Sequence, residues 1–177
     1  MNWHTAVLSL VSVVLLSACF LSAEPRIRSG VVLAEGPVSF CTEDPPCQTG
    51  FPEGDGYILY SGSDDEEDMR LRFELLSDTS AGRVYLGEAE LRNEDGSAWA
   101  YVLARAAQSR REGYPGFDIV MPGCNEGGPG VQAAYGITRT DTYSCNVSNL
   151  EAFRRYLIDT YSARFADPEF WRPSSSG

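Results

Sequence analysis

The sequence predicts a mainly β (α+β) fold: an antiparallel β meander or small partly open barrel with one C-terminal amphipathic helix packed on it. Alternating apolar and charged residues over 69–75 and 84–91 read as two paired strands. A further apolar run at 99–103 follows a turn signal, and helical periodicity is confined to one late stretch.

The chain opens with an apolar run from Ala6 to Ala18. The run is shorter than the roughly 20 residues a membrane-spanning helix needs and fits the apolar core of a signal peptide. It ends in Leu16-Ser17-Ala18-Cys19, which resembles the lipobox of bacterial lipoproteins. That resemblance implies a signal peptide over 1–18, cleavage before Cys19, a diacylglyceryl group on its thiol and an acyl chain on its new amine. No acidic residue follows Cys19, where Phe20 and Leu21 stand, so the leader does not resemble the inner-membrane retention pattern. The expected location is the outer membrane, facing the periplasm. Leu21-Ser22-Ala23 offers a competing cleavage that would release a soluble periplasmic or secreted protein beginning at Glu24.

Residues 19–36 read as the lipidated cysteine and a tether, broken by Gly36-Pro37. About 160 residues follow the leader, enough for one core, and the single β-rich domain is placed at 37–168. Within it, residues 41–56 look loop-like, rich in Pro and Gly. Cys41, Cys47, Cys124 and Cys145 are an even set, which in an exported domain reads as disulfides. Proximity favours Cys41 with Cys47 and Cys124 with Cys145 among the three possible pairings. Zinc fits poorly, since the spacings lack C-x-x-C and no histidine helps.

The hairpin between 69–75 and 84–91 has one register that satisfies both faces. With the turn in 78–82, Arg72 falls opposite Glu88 and Arg70 opposite Glu90, while Leu71, Phe73 and Leu75 face Ala89, Gly87 and Tyr85. Glu94-Asp95-Gly96 suits a three-residue turn with Gly in the left-handed position, which sets Tyr101 against Ala89 and Leu103 against Gly87. Further strands are expected at 117–121 and 131–145. The Gly-rich run 123–130 has neither the Lys nor the following helix of a phosphate loop and reads as a connection.

Ser148-Asn149-Leu150-Glu151 matches a capping box and opens a helix over about 149–166. Leu150, Phe153, Leu157, Tyr161 and Phe165 form its apolar stripe, and Glu151, Arg155 and Asp159 a charged ladder. Asn146-Val147-Ser148 is an N-glycosylation pattern that here reads as part of the cap. A tail over 169–177 ends the chain.

The chemistry is bounded by what is missing. The formal net charge is -11, every basic residue is Arg, and the one histidine, His4, lies in the leader. A surface this acidic disfavours nucleic acid and anionic headgroups, leaving the lipid as the membrane contact. The domain therefore has no imidazole or lysine for a triad, a Schiff base or a proton shuttle. No catalytic residue, metal site or cofactor is assigned. Glu88 and Glu90 share a strand face about 7 Å apart, compatible with a glycosidase pair, but their Arg partners make a surface ion-pair lattice the simpler reading. Asp64, Asp65, Glu66, Glu67 and Asp68 lack the spacing of a calcium loop and read as a solvated acidic loop.

Three functions remain open. The first is a non-catalytic, membrane-anchored lipoprotein with a structural part or an envelope protein partner, contacted through the acidic loop 64–68 and through Phe170 and Trp171. The second is a β-barrel binding an apolar or aromatic small ligand in an unfilled centre, lined by such residues as Trp99, Tyr101, Tyr114, Phe117, Tyr135 and Tyr143. The third is a carboxylate-based hydrolase.

Overall fold

The computed structural model describes residues 20–42, 47–61, 68–93, 96–107 and 113–172. Residues 1–18, with the lipobox, and Cys19 lie outside them, as do 64–67 and the end of the tail. In chain order the strands are β1 (Phe20–Ser22), β2 (Val38–Cys41), β3 (Gln48–Glu53), β4 (Gly56–Leu59), β5 (Met69–Thr79), β6 (Gly82–Asn93), β7 (Gly96–Ala106) and β8 (Gly116–Val120). Helix α1 (Gly128–Ala134), strands β9 (Ile137–Arg139) and β10 (Cys145–Val147), and helix α2 (Leu150–Tyr161) complete the set.

Strands β2 to β8 form a barrel, ordered β6-β5-β4-β3-β2-β8-β7, which the β6–β7 pairing closes. The expected barrel is therefore present but closed, not partly open. It is also not purely antiparallel, because β2 pairs with β8 in parallel, Phe40 opposite Phe117. Closure pairs each of these seven strands on both sides, and edge groups remain only where strands overhang their neighbours, as where β7 takes up β1.

The barrel centre is packed. Val38, Phe40, Tyr57, Leu59, Leu71, Phe73, Ala89, Val102, Ala104, Phe117 and Ile119 fill it, with the Phe40 ring 5.4 Å from both Tyr57 and Phe73. A small closed barrel has just this capacity. Glycines make the room: a Cβ on Gly50 would run into the Phe40 ring, and one on Gly87 into Phe73 and Val102 at 2.6 Å each.

A second core lies outside the barrel wall. The outer faces of β6 and β7 carry Val84, Leu86, Tyr101 and Leu103, and Phe153, Leu157 and Tyr161 of α2 pack on them together with Phe20. The expected stripe of α2 is the face that is buried, while Glu151, Arg155 and Asp159 are exposed. The cap falls one residue later than the capping box places it. Asn149 Oδ1 accepts from Ala152 N–H at 2.9 Å, because the Ser148 hydroxyl is already used, donating to Gly136 O at 2.7 Å. The α-helix ends at Tyr161, and short 3₁₀ turns, Ser162–Arg164 and Pro168–Trp171, carry the chain on.

The β5–β6 register is the expected one, with Arg72 opposite Glu88 and Phe73 opposite Gly87. The β6–β7 register differs by one residue. Asn93 pairs with Gly96, leaving two residues for the turn instead of three, so Tyr101 meets Glu88 and Leu103 meets Leu86. Since strand side chains alternate, this slip turns Tyr101 and Leu103 outward and puts Val102 and Ala104 in the lumen.

Other expectations are corrected. Strand β3 occupies part of the stretch read as a loop; barrel pairing on both sides overrides the local signal of Gly50 and Pro52. The single strand expected over 131–145 is instead α1, β9 and β10, so the described chain has two α-helices, not one. Helix α1 starts inside the Gly-rich run with Pro129 in its first turn, a position where the missing N–H costs nothing. Buried Gln132 holds it, its Nε2 donating to Cys124 O and Glu126 O. Residues 20–27, read as a tether, are built in. Strand β1 pairs with β7 and, in parallel, with β10; Phe20 is fully buried and Ile27 is buried beside it.

Both disulfides form as proximity suggested, Cys41–Cys47 and Cys124–Cys145. The second ties the start of β10 to the segment after β8.

Two outcomes follow from this packing. Gly87→Val, which forces a side chain between Phe73 and Val102, should lower unfolding free energy by about 1–3 kcal/mol or more, read by urea denaturation. Replacing Cys124 and Cys145 together by Ser, which opens a sequence separation of 21, should cost about 3 kcal/mol. The Cys41/Cys47 pair, separated by 6, should cost about 2.

Candidate functional site

Two rows of side chains cross the outer face of the barrel from strand to strand. The first takes one residue from each of β3 to β7: Phe51, Ile58, Arg70, Glu90 and Trp99. Register pairs Phe51 with Ile58, Ile58 with Arg70, and Glu90 with Trp99, and Arg70 Nη1 lies 3.9 Å from Glu90 Oε2. The second row is Glu53, Gly56, Arg72, Glu88 and Tyr101, each opposite the next.

Residues 23–34 form a strap over the second row, held mainly by barrel side chains. Arg26 and Ile27 N–H donate to the two Glu88 carboxylate oxygens at 2.6 and 3.2 Å. Gly30 N–H donates to Asp55 Oδ2 at 2.7 Å. Leu33 and Ala34 N–H donate to the Tyr57 hydroxyl at 2.8 and 3.2 Å, and Val31 N–H donates to Phe73 O at 2.7 Å. Arg72 Nη1 donates to Ile27 O at 3.3 Å. The strap has no strand partner, yet these groups take up N–H donors that burial would otherwise leave unsatisfied. Leu33 and Ala34 pack against the barrel core.

Between strap and first row lies a cleft of about 210 Å³, lined by residues including Pro25, Gly56, Arg70, Arg72, Glu90 and Trp99. Gly56 lines it, and a Cβ there would collide with Leu71 O. The volume is below the roughly 300–1,000 Å³ of drug-sized sites.

Charges around the cleft are matched pair by pair. Arg70 Nε donates to Glu53 Oε2 at 3.0 Å and Arg72 Nε to Asp55 Oδ1 at 3.1 Å. Glu90 accepts from Arg92 Nε and Nη2 at 2.9 and 3.2 Å, and from the Ser97 hydroxyl at 3.4 Å. Pairs as exposed as Arg70–Glu53, at 47% and 48%, contribute only about 0–1 kcal/mol each. Their effect is to orient the guanidinium faces rather than to hold the fold.

Glu88 is the exception, at 3% exposure. Burial pushes its carboxyl above the usual glutamate range, against the opposing pull of the Arg26 and Ile27 N–H groups, Tyr101 and Arg72. The Tyr101 hydroxyl is likewise raised by burial, and lies 3.0 Å from the Ser22 hydroxyl. Exposed Asp55 moves the other way, lowered first by the Gly30 N–H and helped by Arg72.

The sequence-assigned residues separate clearly. Glu88 and Glu90 do share a face, but the first is committed to the strap and the second to Arg92, so they are not the recessed, unpaired carboxylates a hydrolase pair requires. Asp64, Asp65, Glu66 and Glu67 lie outside the described residues; Asp68 is exposed, its Oδ1 accepting from Ser61 N–H at 3.2 Å. Trp171, expected as a partner contact, is 3% exposed, its Nε1 donating to Phe165 O at 3.0 Å. Arg105 stacks 4.8 Å over its ring. Phe170 packs half-buried beside it, so neither extends a free tail. Of the aromatic residues listed for a central cavity, Phe117 is in the filled lumen, Tyr101 in the outer core, Trp99 at the cleft, and Tyr143 at 56% exposure on the surface. Glu53 and Asp55, at the end of β3 and in the β3–β4 turn, carry no assignment from the sequence because they lie inside the stretch that reads as a loop.

Among the described residues, no group of His, Cys, Asp or Glu is arranged to hold a metal ion, and no helix is long and apolar enough to cross a membrane. Comparison with protein-family models, with curated proteins and with solved structures gives no match to this chain. The reading of the cleft therefore rests on its geometry.

Substitutions at Glu88 separate charge from hydrogen bonding. Glu88→Ala leaves two strap N–H donors unsatisfied and should cost about 1–3 kcal/mol, with faster amide exchange at Arg26 and Ile27. Glu88→Gln keeps an acceptor and removes a buried charge, so it should cost less at neutral pH. Because the folded pKa of Glu88 lies above its unfolded value, about 4.3, its contribution is full below that pH and is lost as pH rises through the folded pKa. Stability measured from about pH 4.3 to 7 should fall less steeply in Glu88→Gln than in the parent.

Proposed function

We propose that this chain is an exported envelope protein, anchored by lipid at Cys19, whose closed barrel binds a small hydrogen-bonding ligand in the external cleft beside Trp99. The observation that carries the binding reading is the cleft itself: an open, preorganised cavity over Gly56 with guanidinium donors, carboxylate acceptors and one indole wall. A central ligand has no space among Phe40, Tyr57, Phe73 and Phe117. The site moves to the outside of the barrel and becomes polar.

Export is supported by the leader's resemblance and by two disulfides, which persist in oxidising compartments. Strand β1 bears on the choice of cleavage. Processing after Ala23 would delete Phe20, fully buried, and the Ser22 hydroxyl that meets Tyr101, whereas processing before Cys19 spares both. An intact mass beginning at Cys19 plus acyl chains is expected from the native membrane fraction; one beginning at Glu24 overturns the anchor.

The binding reading is tested by amide and indole NMR of the domain beginning at Cys19, titrated with separate pools of sugars, amino acids, dicarboxylates and polyamines. At least one pool should shift the Trp99 indole and the Gly56 amide together, and Trp99→Ala should abolish the Gly56 response. Shifts confined to lumen residues, or none, overturn it.

A further inference from the structure

The first row continues beyond the cleft. At its far end Phe51 and Tyr60 are exposed at 39% and 61%, their ring centroids 5.6 Å apart. Phe51 and Glu53 are two residues apart on β3 and so share a face, which puts this aromatic pair in line with the Glu53–Arg70 ion pair. From β3 to β7 the row crosses four interstrand spacings, about 19 Å. It therefore reads as aromatic pair, buried Ile58, ion pairs, aromatic, over a length well beyond a single small molecule. The strap, with Pro25 and the Asp55–Gly30 contact, bounds it on one side.

The cleft is charged yet compensated: Arg70 lies between Glu53 and Glu90, and Glu90 is held by Arg92. A ligand with net charge would have to compete with one of these pairs. A neutral polyhydroxyl chain would not. Its hydroxyls both donate, to carboxylate oxygens, and accept, from guanidinium N–H groups, of which each arginine carries five. Its less polar ring faces can lie on Trp99 at one end and on Phe51 and Tyr60 at the other, as amphipathic surfaces do on aromatic rings. We infer that the outer face from Phe51 and Tyr60 through the cleft to Trp99 binds a neutral oligosaccharide laid across strands β3 to β7, an inference that rests on the cleft being a ligand site and extends it to a second, aromatic subsite.

The test uses uncharged sugars of increasing length (glucose, cellobiose, cellotetraose and chitotetraose) on the domain beginning at Cys19, followed by NMR and Trp99 fluorescence. At least one tetrasaccharide should bind about tenfold more tightly than the disaccharide. Phe51→Ala with Tyr60→Ala should remove that gain while leaving the disaccharide response at Trp99 unchanged; both side chains are exposed, and unchanged unfolding would confirm that the fold is intact. If succinate or putrescine shifts the cleft resonances and no sugar does, the saccharide assignment is overturned and the cleft remains a ligand site. If sugars bind with no gain in length, the aromatic subsite is overturned. If no probe of any class moves Trp99 or Gly56, the inference and the cleft reading fall together.

Discussion

Strands β6 and β7 are buried on both faces, and the remaining arrangement is set by that constraint. Their inner faces, Gly87, Ala89, Val102 and Ala104, are small because Phe40, Phe73 and Phe117 fill the centre of the closed barrel. Their outer faces, Val84, Leu86, Tyr101 and Leu103, are large because α2 has to be seated on them. One pair of strands thus serves two cores, and neither core can shift register without disturbing the other. At the end where α2 no longer covers the sheet, the same outer face carries Glu88 and Glu90. There the strap and the cleft begin.

The strap shows how an irregular segment can be held on a closed barrel. Apart from Val31, which donates to the Phe73 carbonyl of β5, its bound N–H groups are received by side chains: a buried carboxylate, a half-exposed carboxylate and a tyrosine hydroxyl. The two carboxylates respond oppositely to acid. Glu88, raised by burial, is least comfortable when ionised; Asp55, lowered by the Gly30 N–H, contributes above its unfolded pKa and loses that contribution as pH falls through its folded one. The strap is therefore held by groups whose pH dependences partly offset each other.

What the sequence made legible follows the physics of patterning. The β5–β6 register was readable because Arg70 and Arg72 alternate with apolar residues and find Glu88 and Glu90 in the same phase, so a slip would put charge in the lumen. The β6–β7 register was not, because 101–104 is apolar without interruption and either phase buries it; the turn length decided, and a two-residue turn prevailed. Strand β3 was hidden by Pro52 and Gly50, both unfavourable locally, and with it went Glu53 and Asp55. Helix α1 was hidden by Gly and Pro for the same reason. The disulfide pairs were legible from proximity, and the stripe of α2 from its period. The cleft was half legible: Glu88, Glu90 and Trp99 stood out, but as an ion-pair lattice and a core aromatic, because only the closed barrel brings the strap and the β3–β4 turn alongside them.

Strand β1 carries a consequence in time. Its three residues, Phe20–Ser22, have no strand partner until β7 and β10 exist, and those are 74 or more positions later in the chain. Loop closure over such a separation is slow relative to local hairpins. The first described segment to leave a ribosome is thus among the last to be seated. Until Cys145 arrives, β1 lacks its β10 partner; once β10 forms, Phe20 and Ser22 are buried, and any protease acting at β1 would have to act early.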